Sequence, residues 1–445
     1  MSHSSNPTQA SWGSFPTLPA RPTVSFVIAT YNRGSVLLDC LRRTLMCGLP
    51  ASQFDIRVVD NASTDGTTEM LGAFKRQHPN VQVFPLEKNC GPVAKNVAIH
   101  NNPADLFVLL DDDAYPMPDA VPQMIRHFRE DAHLGAAVFD VTLPDGGKEA
   151  SAYPDVFIGA GTALRNSALQ HLHQRGMSPL LPANFFMQAE EYDLSFRLLA
   201  AGYSVQRFWD MPLMHLKTPG ARIGQRTTRL DVRNNLYVLA RYVPEPLCHQ
   251  FAADWLARYW LMATQRDQEQ GVHPVHGSHK AAYVKGAAQG LGEWAKERNA
   301  GRLLLGAPTI EKIFKFRAIE ERMARAKEKA GLRRIAFADL GKNMLPFYRA
   351  AENLGLEAVV VLDEQLAGGN RESEYRGIPV VNYAEFMCRA HHETVDALVL
   401  TAISPVHAQR RSAALRRVFQ LPVIDLFSRR DALLHGSGNR PTAHA

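Results

Sequence analysis

The stretch Leu106-Phe107-Val108-Leu109-Leu110-Asp111-Asp112-Asp113-Ala114 decides how this chain is read. Its apolar run predicts a strand buried on both faces, as in a parallel sheet covered by helices. Three consecutive acids at the carboxyl end of such a strand are costly unless a cation neutralises them. Hard divalent ions such as Mg²⁺ and Mn²⁺ prefer carboxylate oxygens and commonly bridge a protein to a diphosphate. Side chains alternate along an extended chain, so Asp111 and Asp113 fall on one face and Asp112 on the other. Asp111 and Asp113 are therefore the expected pair for ribose and metal; the plainer alternative is a solvated acidic turn.

Outward from this strand the same rhythm holds. Val24–Ala29, Ile56–Val59, Val81–Phe84 and Ala136–Phe139 also read as buried strands. Val36–Leu45, Thr67–Arg76, Val93–Ile99 and Ala120–Phe128 carry helical periodicity. Such alternation implies right-handed crossovers and a mostly parallel, helix-covered sheet. Ligands of these sheets bind beyond the carboxyl ends of the strands, so the residues just after each strand carry the functional information.

Val59-Asp60-Asn61-Ala62-Ser63-Thr64-Asp65-Gly66 puts an acid at a strand tip, where Asp60 is placed to hydrogen-bond a nucleoside. Thr64 or Asp65 is expected to cap the next helix. Thr30-Tyr31-Asn32-Arg33 ends the first strand with backbone groups and a ring on which a base can sit. Gly91-Pro92 opens a helix with Pro pre-set for its first turn. Lys95, one turn in, either reaches back to phosphate or base or is a plain surface lysine.

Ala189-Glu190-Glu191-Tyr192-Asp193-Leu194-Ser195-Phe196-Arg197 crowds acids into the first turn of an amphipathic helix, where the macrodipole favours them. Asp193 and Arg197, four apart, are expected to pair. Glu190 and Glu191 lie about 100° apart on a helix, so only one can point squarely at a reacting centre. A carboxylate there can take the proton from an attacking hydroxyl. His215, after Asp210-Met211-Pro212 and a strand, is a candidate third metal ligand, although a lone histidine is more often structural.

The 445 residues suggest two or three domains. Apolar content of 46% and charged content of 21% are those of a soluble globular protein. A net charge of +6 suits plain solubility as well as a phosphate-bearing substrate. Five scattered cysteines without a CxxC pair argue against a disulfide framework and a cysteine zinc site, and for a reducing compartment. No apolar run is long enough for a spanning helix, and residues 1–22 read as a disordered arm without the apolar core of a secretory signal.

From 245 to 330 the pattern is helical, with Phe251–Met262 and a single helix over Ile310–Ala330. The stripe Ile313, Phe316, Ile319 and Met323 either packs on the protein or meets a membrane surface or partner. Beyond Gly331, strands are expected at Arg334–Leu340, Leu356–Leu362, Asp396–Thr401 and Pro422–Leu426, with helices at Met344–Leu354 and His407–Val418. Asp339-Leu340-Gly341-Lys342-Asn343 sits where a phosphate loop would. The GxGxxG fingerprint is absent, which argues against dinucleotide binding. Residues 429–445 read as a disordered tail.

In this order and at these spacings, FVIATYNRG, VVDNASTDGT, NCGPVAKN, LLDDDAYP, GAGTALRNSAL and AEEYDLSFRLLAAGY resemble the motifs of glycosyltransferase family 2. The likeness covers roughly Thr23 to Pro244. It implies a Rossmann-like A-type glycosyltransferase domain over 23–244; with the patterns beyond it, a helical region over 245–330 and a second, smaller Rossmann-like domain over 331–428, the expected architecture is α/β. The likeness implies a metal-dependent, inverting enzyme of bacterial glycan or polysaccharide biosynthesis, cytoplasmic, with peripheral membrane contact and oligomerisation as open options. The expected donor is a UDP- or dTDP-sugar, the acceptor a glycan, a lipid-linked group or a protein, and the cofactor Mn²⁺ or Mg²⁺. By register the resemblance assigns Thr30, Tyr31, Arg33, Asp60, Asn61, Lys95, Asp111 and Asp112 to the nucleotide sugar. It assigns Asp111, Asp113 and His215 to the metal and Glu191 to the general base. The commonest pattern has Asp at the base position, so Glu190 competes with Glu191 for the role. TTRLDVRNNLYVLARYVP is similar to the segment C-terminal to this domain in bacterial rhamnosyltransferases and related enzymes.

Two rivals stand beside this reading. A nucleotidyltransferase of similar fold would want a first loop richer in glycine and arginine. A non-catalytic nucleotide-sugar-binding module would not need Glu190 and Glu191. Nucleic acid is not an expected partner, since the basic run Arg317–Lys329 lacks interleaved aromatics.

Overall fold

The expected strands and helices alternate as read, and the strand ends meet along one edge. The computed structural model describes residues 15, 17–217, 224–271, 277–299, 303–366, 373–388 and 391–428. The tail expected at 429–445, and 1–14 and 16 of the expected arm, lie outside the described residues. The chain runs β1 (Val24–Thr30), α1 (Gly34–Thr44), β2 (Phe54–Asp60), α2 (Thr67–Gln77), β3 (Val81–Pro85), α3 (Lys95–Ile99) and β4 (Leu106–Asp111). Next come β5 (Ala114–Pro116), α4 (Ala120–Glu130), β6 (Leu134–Thr142), β7 (Lys148–Glu149), β8 (Thr162–Arg165), α5 (Asn166–Gln174), α6 (Glu190–Ala200) and β9 (Ser204–His215).

These strands form one sheet in the order β3-β2-β1-β4-β8-β6-β9-β5, with β7 on β6. The expectation of a mostly parallel sheet needs correction. β3, β2, β1 and β4 are parallel, but β8 runs antiparallel to both β4 and β6, and β5 antiparallel to β9. After β4 the chain turns straight into β5 without a crossover helix; β6 and β9 keep the sense of β4, and β5, β7 and β8 run opposite to it. β5, β7 and β8 are two to four residues long, too short to show a period in sequence.

The parallel register places the site. Thr30 pairs with Asp60, and Ala29 pairs with both Val59 and Asp111, so three strand tips end level. On β1, Phe26 and Ile28 point into a core against α1, α2 and α4, while Val27 points to the opposite core. Leu37, Cys40, Leu41 and Thr44 of α1 are buried at the i, i+3, i+4, i+7 spacing of one helical face.

Helices α7 (Gln225–Tyr242), α8 (Leu247–Gln270), α9 (His279–Asn299), α10 (Ala307–Phe314) and α11 (Phe316–Ala330) make up the middle of the chain. The single helix expected over Ile310–Ala330 is in fact two, broken at Lys315, whose φ of 60° is left-handed. A non-glycine residue in that conformation cannot continue a right-handed helix. Ile313, Ile319 and Met323 are buried and Phe316 packs against them, so the stripe is internal and not a membrane-facing surface. No helix among the described residues is long and apolar enough to cross a membrane.

The remaining elements build a second sheet: β10 (Arg334–Ala338), α12 (Met344–Asn353), β11 (Glu357–Leu362), β12 (Glu374–Tyr375), β13 (Ile378–Val381), α13 (Tyr383–Cys388), β14 (Ala397–Leu400), α14 (Pro405–Val418) and β15 (Val423–Ile424). Its order is β12-β13-β11-β10-β14-β15, with every described pair parallel except β12 on β13. One contiguous apolar core runs from Val27 and Leu109 of the first sheet through Phe251, Trp255 and Phe314 to Phe337 and Phe427 of the second.

Candidate active site

Asp111 ends β4, and Asp112 and Asp113 form the turn into β5. Antiparallel pairing sets Ala114 opposite His215 at the end of β9, which brings the imidazole beside Asp113. His215 Nε2 lies 3.1 Å from Asp113 Oδ1 and 3.8 Å from Asp111 Oδ2. One ligand atom from each of Asp111, Asp113 and His215 falls within a 4.8 Å cluster. The other ring nitrogen, Nδ1, is 2.7 Å from Glu149 Oε2, and Lys217 Nζ donates to Glu149 Oε1 at 2.7 Å. A carboxylate on the far nitrogen fixes the orientation of a ligating imidazole.

The acids are surrounded by positive charge. Arg33 forks between two of them, Nη1 to Asp112 Oδ1 at 2.9 Å and Nη2 to Asp113 Oδ2 at 2.8 Å. Thr30 Oγ1 donates to Asp112 Oδ2 at 2.9 Å. Lys95 is only 2% exposed, which removes the surface-lysine alternative; its Nζ donates to Asp111 Oδ1 at 3.1 Å and to the Gly159 carbonyl at 3.2 Å. Burial pushes Asp112 up to about 6, against the pull of Arg33 and Thr30. Burial would raise Asp113 too, but His215 and Arg33 overcome it and hold this carboxyl well below the usual range. Burial works against the imidazolium of His215, yet Asp113 and Glu149 raise it to about 9. The three acids thus draw a guanidinium, an ammonium and an imidazole to one spot.

Asp112 therefore faces β1, while Asp111 and Asp113 meet His215. The division is the expected one, but it arises from a turn and not from strand alternation.

On the other side stands the start of α6. Phe186, Gln188 and Ala189 hold positive φ values of 65°, 72° and 65°. Non-glycine residues keep that conformation only when their surroundings over-determine it. Asn234 of α7 does so here, its Nδ2 reaching the carbonyls of Phe185, Met187 and Gln188 at 3.2, 2.8 and 2.8 Å. Arg233 Nη2 adds bonds to the carbonyls of Asn184 and Phe185 at 2.6 and 3.1 Å. The loop also packs on Gly91 (φ 71°), where an added Cβ would meet the Phe186 carbonyl oxygen at 2.5 Å.

Glu190 is buried and its Oε2 has no hydrogen-bond partner. Glu191 is half-buried and borders the cleft, its carboxylate against Gly159, where a Cβ would lie 3.0 Å from Oε1. Burial and the neighbouring Glu191 push Glu190 well up, and burial, with Asp111 nearby, raises Glu191. Asp193 pairs with Arg197 as expected and accepts the Tyr242 hydroxyl at 2.7 Å, so it anchors the helix from behind.

A cleft of about 790 Å³ joins these groups. Thr30, Tyr31, Arg33, Asn61, Lys95, Asp111, Asp112, Glu190 and Glu191 all line it. Asp60 does not. It is buried, accepting Ser63 N–H at 3.0 Å and the Thr68 hydroxyl, and so braces its own turn. Asn61 faces the cleft in its place, and its side chain pins the Cys90–Gly91 backbone at 3.1 Å on each side. Asp65 accepts Thr67 N–H at 3.1 Å, a local turn bond at the start of α2.

Sequence reasoning passed over Glu149, Lys217, Arg226 and Asn234. Arg226 lines the cleft with its guanidinium carbon 3.7 Å from the centre of the Phe186 ring. Glu149 belongs to a two-residue strand with no motif around it. Asn234 lay inside the quoted TTRLDVRNNLYVLARYVP run, but a helix interior does not announce what its side chains reach.

The first sheet resembles the Rossmann-like A-type glycosyltransferase fold. Residues 25–173 match the model of glycosyl transferase family 2. Among curated relatives it is similar to glycosyltransferase AglE of Haloferax volcanii, 27% identical over 134 residues, 30% of this chain and 44% of that protein. It is also similar to the poly-beta-1,6-N-acetyl-D-glucosamine synthase of Staphylococcus epidermidis, 31% identical over 114 residues, 25% of this chain and 27% of that protein. The chain thus spans less than half the length of these relatives. Among solved structures, S. aureus TarS in complex with UDP-GlcNAc aligns over 75% of this chain and 92% of that one, with 16% identity and a TM-score of 0.46.

Proposed function

We propose that this chain transfers a sugar from a nucleoside-diphosphate sugar to an acceptor hydroxyl, inverting the anomeric configuration, within glycan or polysaccharide biosynthesis. The observation that carries the reading is one cleft lined both by Asp111, the member of the Asp111–Asp113–His215 cluster that reaches it, and by the two raised carboxylates at the start of α6. The first half suits a diphosphate leaving group and the second a proton acceptor.

The donor set of two carboxylates and one imidazole oriented by Glu149 fits Mn²⁺ or Mg²⁺. When bound, such an ion neutralises the diphosphate and stabilises the charge that develops as it leaves. Tyr31, 43% exposed at the cleft edge, offers a stacking face for the base, and Thr30 and Asn61 offer polar contacts beside it. Arg33, Lys95, Lys217 and Arg226 supply positive charge along the path of the phosphates. Glu191, open to the cleft, takes the proton of the acceptor hydroxyl as that oxygen attacks from the face opposite the diphosphate. Its raised pKa makes it a stronger base than an ordinary carboxylate. Glu190, more deeply buried beside it, is the competitor for that proton. The catalytic unit is taken as 23–244, and UDP- or dTDP-sugars are the preferred donors.

A thermal-shift screen of nucleoside diphosphates and their sugars, with and without Mn²⁺, tests this. Stabilisation by a diphosphate nucleotide that grows with Mn²⁺ is expected. A protein indifferent to every nucleotide sugar would overturn the reading.

A further inference from the structure

The loop after β10, Asp339–Asn343, sits at the carboxyl end of the central strand of the second sheet. In an open α/β sheet that is the position of the ligand loop. Here the loop is filled by the protein itself. Leu340 N–H donates to Asp363 Oδ2 at 2.8 Å, and Arg411 holds Asp339. The Lys342 carbonyl accepts both the Tyr153 hydroxyl at 2.9 Å and Trp255 Nε1 at 3.0 Å. Arg258 Nε donates to the Leu340 carbonyl at 2.8 Å.

The side chain of Lys342 goes further. Its Nζ donates to Asn235 Oδ1 at 2.8 Å and lies 4.8, 5.3 and 5.9 Å from the ring centres of Tyr192, Trp255 and Tyr259. An ammonium among aromatic faces is held by the ring quadrupoles, most strongly when desolvated. The contacts are placed on the catalytic machinery. Tyr192 is the residue after Glu191 on α6, and Asn235 adjoins Asn234, which clamps the loop leading into Glu190. Asn235 is itself held by Asp231, which also accepts the Tyr259 hydroxyl at 3.0 Å.

We infer that Lys342 is a positioning residue: through it the second Rossmann-like unit sets the helix start that presents Glu190 and Glu191. The unit is then part of the transferase site and not an appended nucleotide-binding domain. Lys342 reaches no substrate; it acts through Tyr192 and Asn235 on the aim of the carboxylates. Burial lowers the amine to about 8, with Asp231 and Glu191 pulling the other way, so most of its charge is retained at neutral pH. This inference rests on the proposed function, in which the α6 carboxylates are the base.

The test is steady-state kinetics and nucleotide titration on full-length Lys342→Met, Tyr192→Leu and the double variant. A misaimed base costs turnover without donor binding, so kcat is expected to fall about tenfold or more while donor KM and nucleoside-diphosphate Kd stay within about twofold. The double variant should be no worse than the worse single one, since both break the same contact. A folded Lys342→Met with unchanged kcat, or multiplicative losses in the double variant, would overturn the inference. If Lys342→Met does not fold, Asn235→Ala, which removes the acceptor of the ammonium bond together with the amide's bonds to Asp231, must show the same split. A wild-type chain that transfers no sugar from any nucleotide donor would instead refute the functional reading.

Discussion

The two sheets of this molecule are built alike and end differently. Each contains a run of parallel strands, β3-β2-β1-β4 in the first and β13-β11-β10-β14-β15 in the second, whose carboxyl tips gather polar side chains. At the first sheet those tips open on a cleft, and its acids meet Arg33, Lys95 and His215 with room left for a ligand. At the second, Asp363 accepts the N–H groups of Leu340, Gln365 and Leu366 at 2.8, 2.9 and 3.0 Å, and the first loop is pressed into α7 and α8. The same architecture is a binding edge in one place and a docking edge in the other. What separates them is what lies beyond the tips: an open cleft at the first sheet, and packed helices of the same chain at the second.

That contrast breaks most sharply at Asp113. Replacing it with Asn leaves Arg33 and His215 without their shared carboxylate and should lower sugar transfer by about a thousandfold, with loss of Mn²⁺-dependent nucleotide binding. Activity close to wild type, measured by donor turnover, would remove the cluster from the chemistry. Next comes the base. Glu191→Gln should cut turnover by about a hundredfold or more while donor still binds, and a dead Glu190→Gln beside an active Glu191→Gln would move the role one residue back. The raised carboxylates also set a pH dependence. Below its raised pKa the base is protonated and idle, so kcat/KM should climb with pH through a value above the ordinary carboxylate range and then level off. A profile already flat at that ordinary value would count against Glu191. The smallest effect belongs to the second sheet. Asp363→Asn should cost about 1–3 kcal/mol of stability, because it disturbs three backbone N–H bonds, and leave nucleotide affinity unchanged. A variant with altered affinity would mean that the second edge binds nucleotide after all.

Much of the first sheet was legible because buried parallel strands are long apolar runs, and five of them were read within a few residues of their ends. The acids were legible for a related reason. Asp111, Asp112 and Asp113 stand out against Leu109 and Leu110, since charge at the end of a buried strand needs an explanation. The antiparallel strands were not legible, being too short for a period, and the break at Lys315 was hidden inside a continuous amphipathic pattern. Asp60 misled for a different reason: an acid at a strand tip looks the same whether it faces a ligand or braces its own turn.

The sequence alone determined the strand–helix rhythm, the order of the polar strand ends and the residue types able to hold a diphosphate and take a proton. Those are local properties, set by side-chain chemistry and by periods of two and 3.6 residues. Only the tertiary structure decided which ends stay open. It brought His215 to Asp113 across about a hundred residues of chain through one antiparallel pairing, and gave Glu149 the far nitrogen of that ring. It turned Asp60 inward, and set Lys342 beside Tyr192 from a separate sheet. These are contacts between residues distant in sequence, fixed by how layers pack, and no local pattern encodes them.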